Sequence, residues 1–403
     1  KTIKLTADVD LGNYDWDMID NFNGIFNGDG HIIKNIRYNY QTTHTGTYYS
    51  SFIKTLQNAA IIENTWFQNI SFSVTLEYGY AYVGGITCFN YGTINNCIVE
   101  GSVSAKFSGS TSAVLDPYYV GGVAAYNYGL ILNSVHDGSV ESMPTVHSQF
   151  TDAFAGGFTS INEGNIINCI NYGSVYSRVG FSSSSWKGMN GLPYAYSGGI
   201  CGKSTGNINN AINLADITAI SYQLASMPST NAYASGITAT GDCINCYYSS
   251  GNTITAPSIV NTGILLSPNQ IQNKSYDFTS LLNQNLSYFT NYDVVYWANS
   301  ATTNNNIPFL LNCFAIKMNV DAVTQNAATF TANPADIFSS VIVSKGFEYK
   351  KIVDTDYIQV YCDDKFSVSL TNLELYTNYV VRPFVYTIDG NILRGDDVYF
   401  STS

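Results

Sequence analysis

A right-handed parallel β-helix with a small helical cap, followed by a β-sandwich, is the fold this all-β sequence predicts. Three observations predict it. A phrase of eighteen residues recurs at 86–103 (ITCFNYGTINNCIVEGSV), 123–140 (VAAYNYGLILNSVHDGSV) and 158–175 (FTSINEGNIINCINYGSV). A glycine pair immediately precedes each copy, as Gly84-Gly85, Gly121-Gly122 and Gly156-Gly157, and returns as Gly198-Gly199 and, altered, as Ser235-Gly236. From Ala315 onward the text changes to alternating segments such as VIVSKGFEYK and NYVVRPFVYT, the period-two pattern of half-buried strands.

The repeats align into columns. Ile86, Val123, Phe158, Ile200 and Ile237 form one apolar column, Ile94, Ile131, Ile166 and Ile208 a second, and Val103, Val140, Val175, Ile217 and Ile254 a third. Asn96, Asn133, Asn168, Asn210 and Asn245 form a polar column that extends back to Asn64 and Asn35. Beside it runs a column of small residues, Cys97, Ser134, Cys169, Ala211 and Cys246. Each unit reads as three short strands separated by glycine turns. One unit cannot bury its own apolar face, so units must stack, each strand pairing with its counterpart about 4.8 Å away. Stacked asparagines then bond amide to amide along the axis, a structural ladder. Alternation alone leaves open whether Asn or its small neighbour points inward, because a bend at Asn would reset the period.

The opening stretch 5–36 supplies the first strands, and "NGIFNGDGHIIKNI" followed by GG…NYGTINNC units resembles the GLUG-motif repeat proteins of bacterial cell surfaces. The resemblance covers roughly residues 1–310. It departs near 50–66, where Gly-Gly is missing, and in the shortened last repeat. The expected domains are a β-helix over 1–254, a capping segment over 255–313 and a sandwich over 314–403. Ser267 with Gln270 three residues on is a capping-box signature, which places one or two short helices in the cap. The C-terminal segment resembles a fibronectin type III-like domain, with Tyr379 placed for a tyrosine corner.

Composition narrows function. Only 11% of residues are Asp, Glu, Lys or Arg, the net charge is −12, and no basic stretch exists. Nucleic acid is thereby excluded as a partner, since phosphate binding needs clustered cations. No apolar run reaches the roughly 18 residues of a membrane span. Lys1 leads straight into strand text, so the chain reads as a mature fragment, with any export signal or lipid anchor lying ahead of it. The resemblance implies display outside the cell, on a bacterial outer surface, as a monomer.

Several motifs invite chemistry. Cys243-Ile244-Asn245-Cys246 has CxxC form, but a zinc site needs four ligands and Cys246 already belongs to the small-residue column, so the thiols read as free packing residues. Glu100 and Asp137 fall at equivalent places on adjacent repeats; paired carboxylates do acid–base work or hold Ca²⁺, yet Tyr172 and Leu214 follow them in the column. Asp8, Asp10, Asp15 and Asp17 read as turn and edge residues. No cofactor is expected, with Ca²⁺ the one cation the acids suggest. Arg394-Gly395-Asp396 spells an integrin-binding tripeptide within turn chemistry. The four histidines, His31, His44, His136 and His147, are scattered.

Insertions at 105–118, 141–153, 177–195 and 219–232 leave one corner of the coil and carry aromatics: Phe107, Tyr118, Phe150, Phe181, Trp186, Tyr194, Tyr222, with Met227. Exposed aromatics stack on sugars or anchor proteins. Phe107, Tyr118, Phe181, Trp186, Tyr194 and Tyr222 are therefore the expected binding residues of a non-catalytic adhesin for a glycan or a host or matrix protein. The competing expectation is a polysaccharide lyase or glycoside hydrolase. Lyase chemistry on acidic glycans needs cations, and only Lys54 and Lys106 occur between Arg37 and Arg178.

Overall fold

The computed structural model describes every residue except 13, 109–115, 147–150, 182–193, 222–230, 273–276, 299–307, 311–315, 334–341, 363–365, 388–391 and 396. Two compact units emerge, Lys1–Pro268 and Asn269–Ser403.

The first unit is a β-solenoid of about six turns, all of whose strand pairings are parallel among the described residues. Its first face stacks Thr47–Ser50, Tyr80–Gly84, Tyr118–Gly121, Ala153–Gly156, Tyr194–Gly198, Asn231–Ser235 and Ser258–Ile259. The second face runs from Ile19–Phe22 through Ile53–Leu56, Thr87–Asn90, Ala124–Asn127 and Thr159–Asn162 to Cys201–Ser204. The rest of each turn belongs to a 19-stranded sheet that bends in mid-course, as within Thr93–Phe107.

The glycine pair makes the corner between the first two faces, for steric reasons. A Cβ on the first glycine would strike the carbonyl three residues on (Thr87, Ala124, Thr159, Cys201), and one on the second would strike the glycine carbonyl of the next turn. Where Gly-Gly is missing the corner is built differently. Val83 pairs with Ser50 and Thr87 with Ile53, so only Ser51 and Phe52 span a corner that elsewhere takes three residues. The Ser51 hydroxyl, donating to the Ile53 carbonyl at 2.7 Å, holds this shorter bend.

The bend of the large sheet falls at the asparagines. Asn35, Asn64, Asn96, Asn133, Asn168, Asn210 and Asn245 take φ values between 51° and 61°, the left-handed region that Asn tolerates better than most residues. That reversal turns the next side chain inward. Cys97, Cys169, Ala211 and Cys246 all lie in the hydrophobic core, which answers which of the two columns faces it. The Asn96 amide donates to Asn64 at 2.6 Å, Asn168 to Asn133 at 2.8 Å and Asn210 to Asn168 at 3.0 Å, while Asn133 reaches sideways to Asn95 at 2.9 Å.

Two further polar files lie deeper. Asn90 donates to Asn127, Asn127 to Asn162 (both 2.7 Å) and Asn162 to Ser204 at 3.0 Å, with the three asparagines fully buried. His136 bonds Asn171 at 2.7 Å, and Asn171 donates to Asn213 at 2.8 Å. Because the Asn171 amide nitrogen is committed to Gly173 and Asn213, its oxygen must accept, so His136 carries its proton on Nδ1. Burial holds the imidazole below its ordinary pKa. A buried amide left unpaired costs about 1–3 kcal/mol, so neighbouring turns depend on one another's side chains.

Parallel pairing outlasts the repeat text. Ile254–Thr255, Ser258–Ile259 and Ile264–Leu266 still add to the solenoid, so the coil runs beyond the expected end at 254. The columns degenerate there, but the backbone edge left by the last complete turn still offers partners.

The helix Pro268–Ile271 starts at the last residue of the first unit, and the helix Phe278–Asn285 lies in the second. Asp277 caps the longer one, accepting from the Ser280 N–H at 3.1 Å. After a two-stranded antiparallel pair, Trp297–Ala298 with Phe309–Leu310, two larger antiparallel sheets follow. Lys317–Val323, Ala327–Asn333 and Ser367–Thr371 make one; Ile342–Lys351, Ile358–Cys362, Asn378–Thr387, Ile392–Arg394 and Val398–Ser401 make the other. Their inner faces share a core that includes Phe330 and Phe347. The Tyr379 hydroxyl accepts from the Glu374 N–H at 3.0 Å, tying the strand back to the preceding turn.

Candidate functional site

Strand alternation on the first face sets the site. Ala81 and Val83 point into the core, and so do Tyr118 and Val120, Ala153 and Ala155, Ala232 and Ala234. The residue between each pair points out. Parallel register then lines up Tyr49, Tyr82, Tyr119, Phe154, Tyr196 and Tyr233 in one external file. Successive ring centroids lie 5.7, 5.0, 5.1, 5.1 and 5.5 Å apart, with interplanar angles of 9° to 22°. Stacked offset rings are worth about 0.5–1.5 kcal/mol per pair.

A shorter file from the second face closes on it across the glycine corner. Phe89 lies 5.1 Å from Tyr82, and Tyr126 lies 4.9 Å from Tyr119. The two files pack ring against ring along the solenoid axis. Burial pushes the Tyr82 hydroxyl up, and that of Tyr126 further still with help from its bond to Tyr119; Tyr196 rises to about 12. All three stay neutral, able both to donate and to accept. Because each ring covers its neighbour's face, the file offers edges and hydroxyls rather than open ring faces.

The expected binding residues fall in four groups. Tyr194 stacks on Tyr196 at 5.6 Å and approaches Tyr233 at 6.3 Å, so it joins the file. Phe107 ends its strand half-buried, in register with Leu76. Tyr118 must be corrected: it is fully buried in the core. It opens a first-face strand in register with Ala81 and Ala153, where small neighbours leave room for a large inward side chain. Phe181 pairs through its backbone with Val146, and its side chain lies outside the described residues, as do Phe150, Trp186, Tyr222 and Met227.

The external file itself was missed in the sequence. Its signal is plain in the columns, because Tyr82, Tyr119, Phe154 and Tyr196 each stand two residues before a Gly-Gly pair.

The acid candidates separate as well. Glu100 and Asp137 are in direct register on adjacent strands. Burial raises the Glu100 pKa against hydrogen bonds from Gln68 and Trp66, and Asp137 adds a smaller push. Asp8 accepts from the Ile32 N–H, Asp10 from Gly12 and Asn35, and Asp15 from Arg37; these contacts hold the first turn together. Arg394 is committed to the sandwich: its guanidinium grips both oxygens of Glu348 at 2.7 and 2.9 Å. The thiols of Cys88, Cys169 and Cys201 are pushed up to about 12 by burial, which makes them inert.

No family model matches this chain, and no curated protein does. Among solved structures, a Bacteroides ovatus protein provisionally named an immunoglobulin A1 protease aligns over 77% of this chain and 85% of its own, with 19% identity and a TM-score of 0.47. The fibronectin type-III domain of human fibronectin type III domain containing protein 3 aligns over 23% and 86% respectively, with 15% identity and a TM-score of 0.20. The fn3 domain of human contactin 1 aligns over 22% and 73%, with 14% identity and a TM-score of 0.18. At these scores the likenesses carry no activity or partner across.

Proposed function

We propose that this chain is a non-catalytic bacterial surface protein, an adhesin of the GLUG-motif kind with a fibronectin type III-like domain, working outside the cell. Its solenoid serves as a rigid platform for a glycan or a host or matrix protein. The observation that carries this reading is the external aromatic file with Tyr194 beside it. A row of stacked aromatic rings held by interlocked turns is preorganised, so little side-chain entropy is lost on binding, and tyrosine is enriched among residues that dominate protein interfaces. The low content of charged side chains favours a partner met through hydroxyls, amides and apolar edges.

The test is binding of the purified chain to a glycan array and to immobilised host-matrix proteins. A ligand found there should bind at least tenfold more weakly to Tyr196→Ala, and to Trp186→Ala if the insertions share the contact. Unchanged affinity in Tyr196→Ala would remove the file from the site.

A second reading, polysaccharide hydrolysis, is favoured by one observation, the Glu100 carboxyl raised by burial beside Asp137, since a raised carboxyl suits leaving-group protonation. Turnover of any polysaccharide that disappears in Glu100→Gln would replace the first reading with the second.

A further inference from the structure

The segment Cys243-Ile244-Asn245-Cys246 plays no part in the ligand-binding reading. Asn245, between the two cysteines, takes a left-handed conformation, φ 52°, and Cys243 packs partly buried against the core cluster that contains Cys246. The two sulfurs occupy different surroundings. Cys246 is 1% exposed in the small-residue column, its thiol donating to the Ile244 carbonyl at 3.3 Å and reaching toward that of Ile208 at 3.6 Å. Cys243 is only partly buried and lines a surface hollow of about 280 Å³, walled on the other side by Ser204 and Asn207 of the preceding turn. A solution reagent therefore meets Cys243, and Cys246 waits behind it. Cys88, Cys169 and Cys201 lack this arrangement: each is fully buried. Among the described residues no group of three or more His, Cys, Asp or Glu could hold a metal ion, so the pair is not half of a zinc site built from them.

We propose that Cys243 and Cys246 are a redox-active dithiol that closes to an intramolecular disulfide, Cys243 being the entry sulfur and Cys246 the resolving one. The oxidant is a small-molecule disulfide of the glutathione class. The Cys243 thiolate attacks one sulfur of that disulfide and expels the other as a thiolate, which takes up a proton. Cys246, losing its own proton, attacks the Cys243 sulfur of the mixed disulfide and expels the second small thiolate, which is protonated in turn. Two protein thiols are oxidised and one disulfide is reduced to two thiols. Its exposure to solvent, where Cys246 has almost none, makes Cys243 the sulfur a dissolved disulfide meets first.

The experiment treats the full reduced chain with oxidised glutathione and follows intact mass and peptide maps. The expected product is a 243–246 peptide lighter by two hydrogen atoms. Before oxidation, an alkylating reagent should modify Cys243 at least tenfold faster than Cys246. In Cys246→Ser the glutathione adduct on Cys243 should persist, because the resolving sulfur is gone; serine already occupies this column at Ser134, so the fold accepts it. In Cys243→Ser neither adduct nor disulfide should form there. A stable adduct on Cys243 of the unaltered chain, or no reaction at Cys243, would overturn the proposal.

Discussion

The solenoid and the sandwich bury polar groups in opposite ways. The solenoid uses neutral groups repeated turn after turn: the amides of Asn90, Asn127 and Asn162 in one file, the His136 imidazole with the amides of Asn171 and Asn213 in another. The sandwich uses one concentrated charge. Its Glu348 side chain, 3% exposed, accepts from Arg394, Arg382 and Gln359, and Arg382 also lies 4.0 Å over the Tyr357 ring. A translational repeat cannot stack like charges at about 4.8 Å without repulsion, whereas an amide is donor and acceptor at once and satisfies its own copy. A sandwich has no such repeat, so opposite charges brought from distant strands can meet once. This explains why a chain that is mostly solenoid carries so few ionisable residues.

The contrast should break most severely at the glycine corner. In Gly122→Val the new side chain would meet the Gly157 carbonyl and the His136 ring. We expect a loss of more than about 4 kcal/mol from the solenoid transition in chemical unfolding, with the sandwich transition unmoved. Next in size is Glu348→Ala, which leaves two guanidinium groups without their carboxylate and should cost the sandwich about 3–5 kcal/mol while sparing the solenoid.

Acid sharpens the comparison by a smaller margin. Burial alone would raise the Glu348 pKa, but hydrogen bonds from Arg394, Gln359 and Arg382 together hold it at about 2, below its ordinary 4.5. The sandwich therefore keeps this contribution above about pH 4.5 and loses it as pH falls toward 2. The contribution is at most roughly 3 kcal/mol, because water screens the outer guanidinium groups. His136 is likewise depressed from 6.5. Its neutral form suits the fold, so the solenoid should begin to weaken as pH falls below 6.5, where the unfolded chain takes up the proton first. Melting curves for the two transitions across pH 7 to 3 should show the solenoid responding earlier.

Much of the solenoid was legible because repetition turns three-dimensional neighbours into alignment columns. The glycine pair, the Asn96 column and the inward Ile94 column could all be read that way. Tyr118 was misread through a boundary: counted as the end of an insertion, it is the first residue of a strand, and alternation back from Gly121 places it inward. Tyr82 stands just ahead of the eighteen-residue phrase and Asn90 inside it, in a column that turns from Asn to Ser204 after three turns, so both were overlooked beside the longer Asn96 column. The Glu348 cluster left no such trace, since its arginine partners lie 34 and 46 residues away with no repeat to connect them.

Interdependence of neighbouring turns through buried amides is best tested by a double-mutant cycle on Asn127 and Asn162. Chemical unfolding of the unaltered chain, Asn127→Ala, Asn162→Ala and the double variant yields the coupling energy. Interlocked files predict coupling of about 1–2 kcal/mol, the second substitution costing less once the first has been made. Strict additivity, with coupling near zero, would contradict the account.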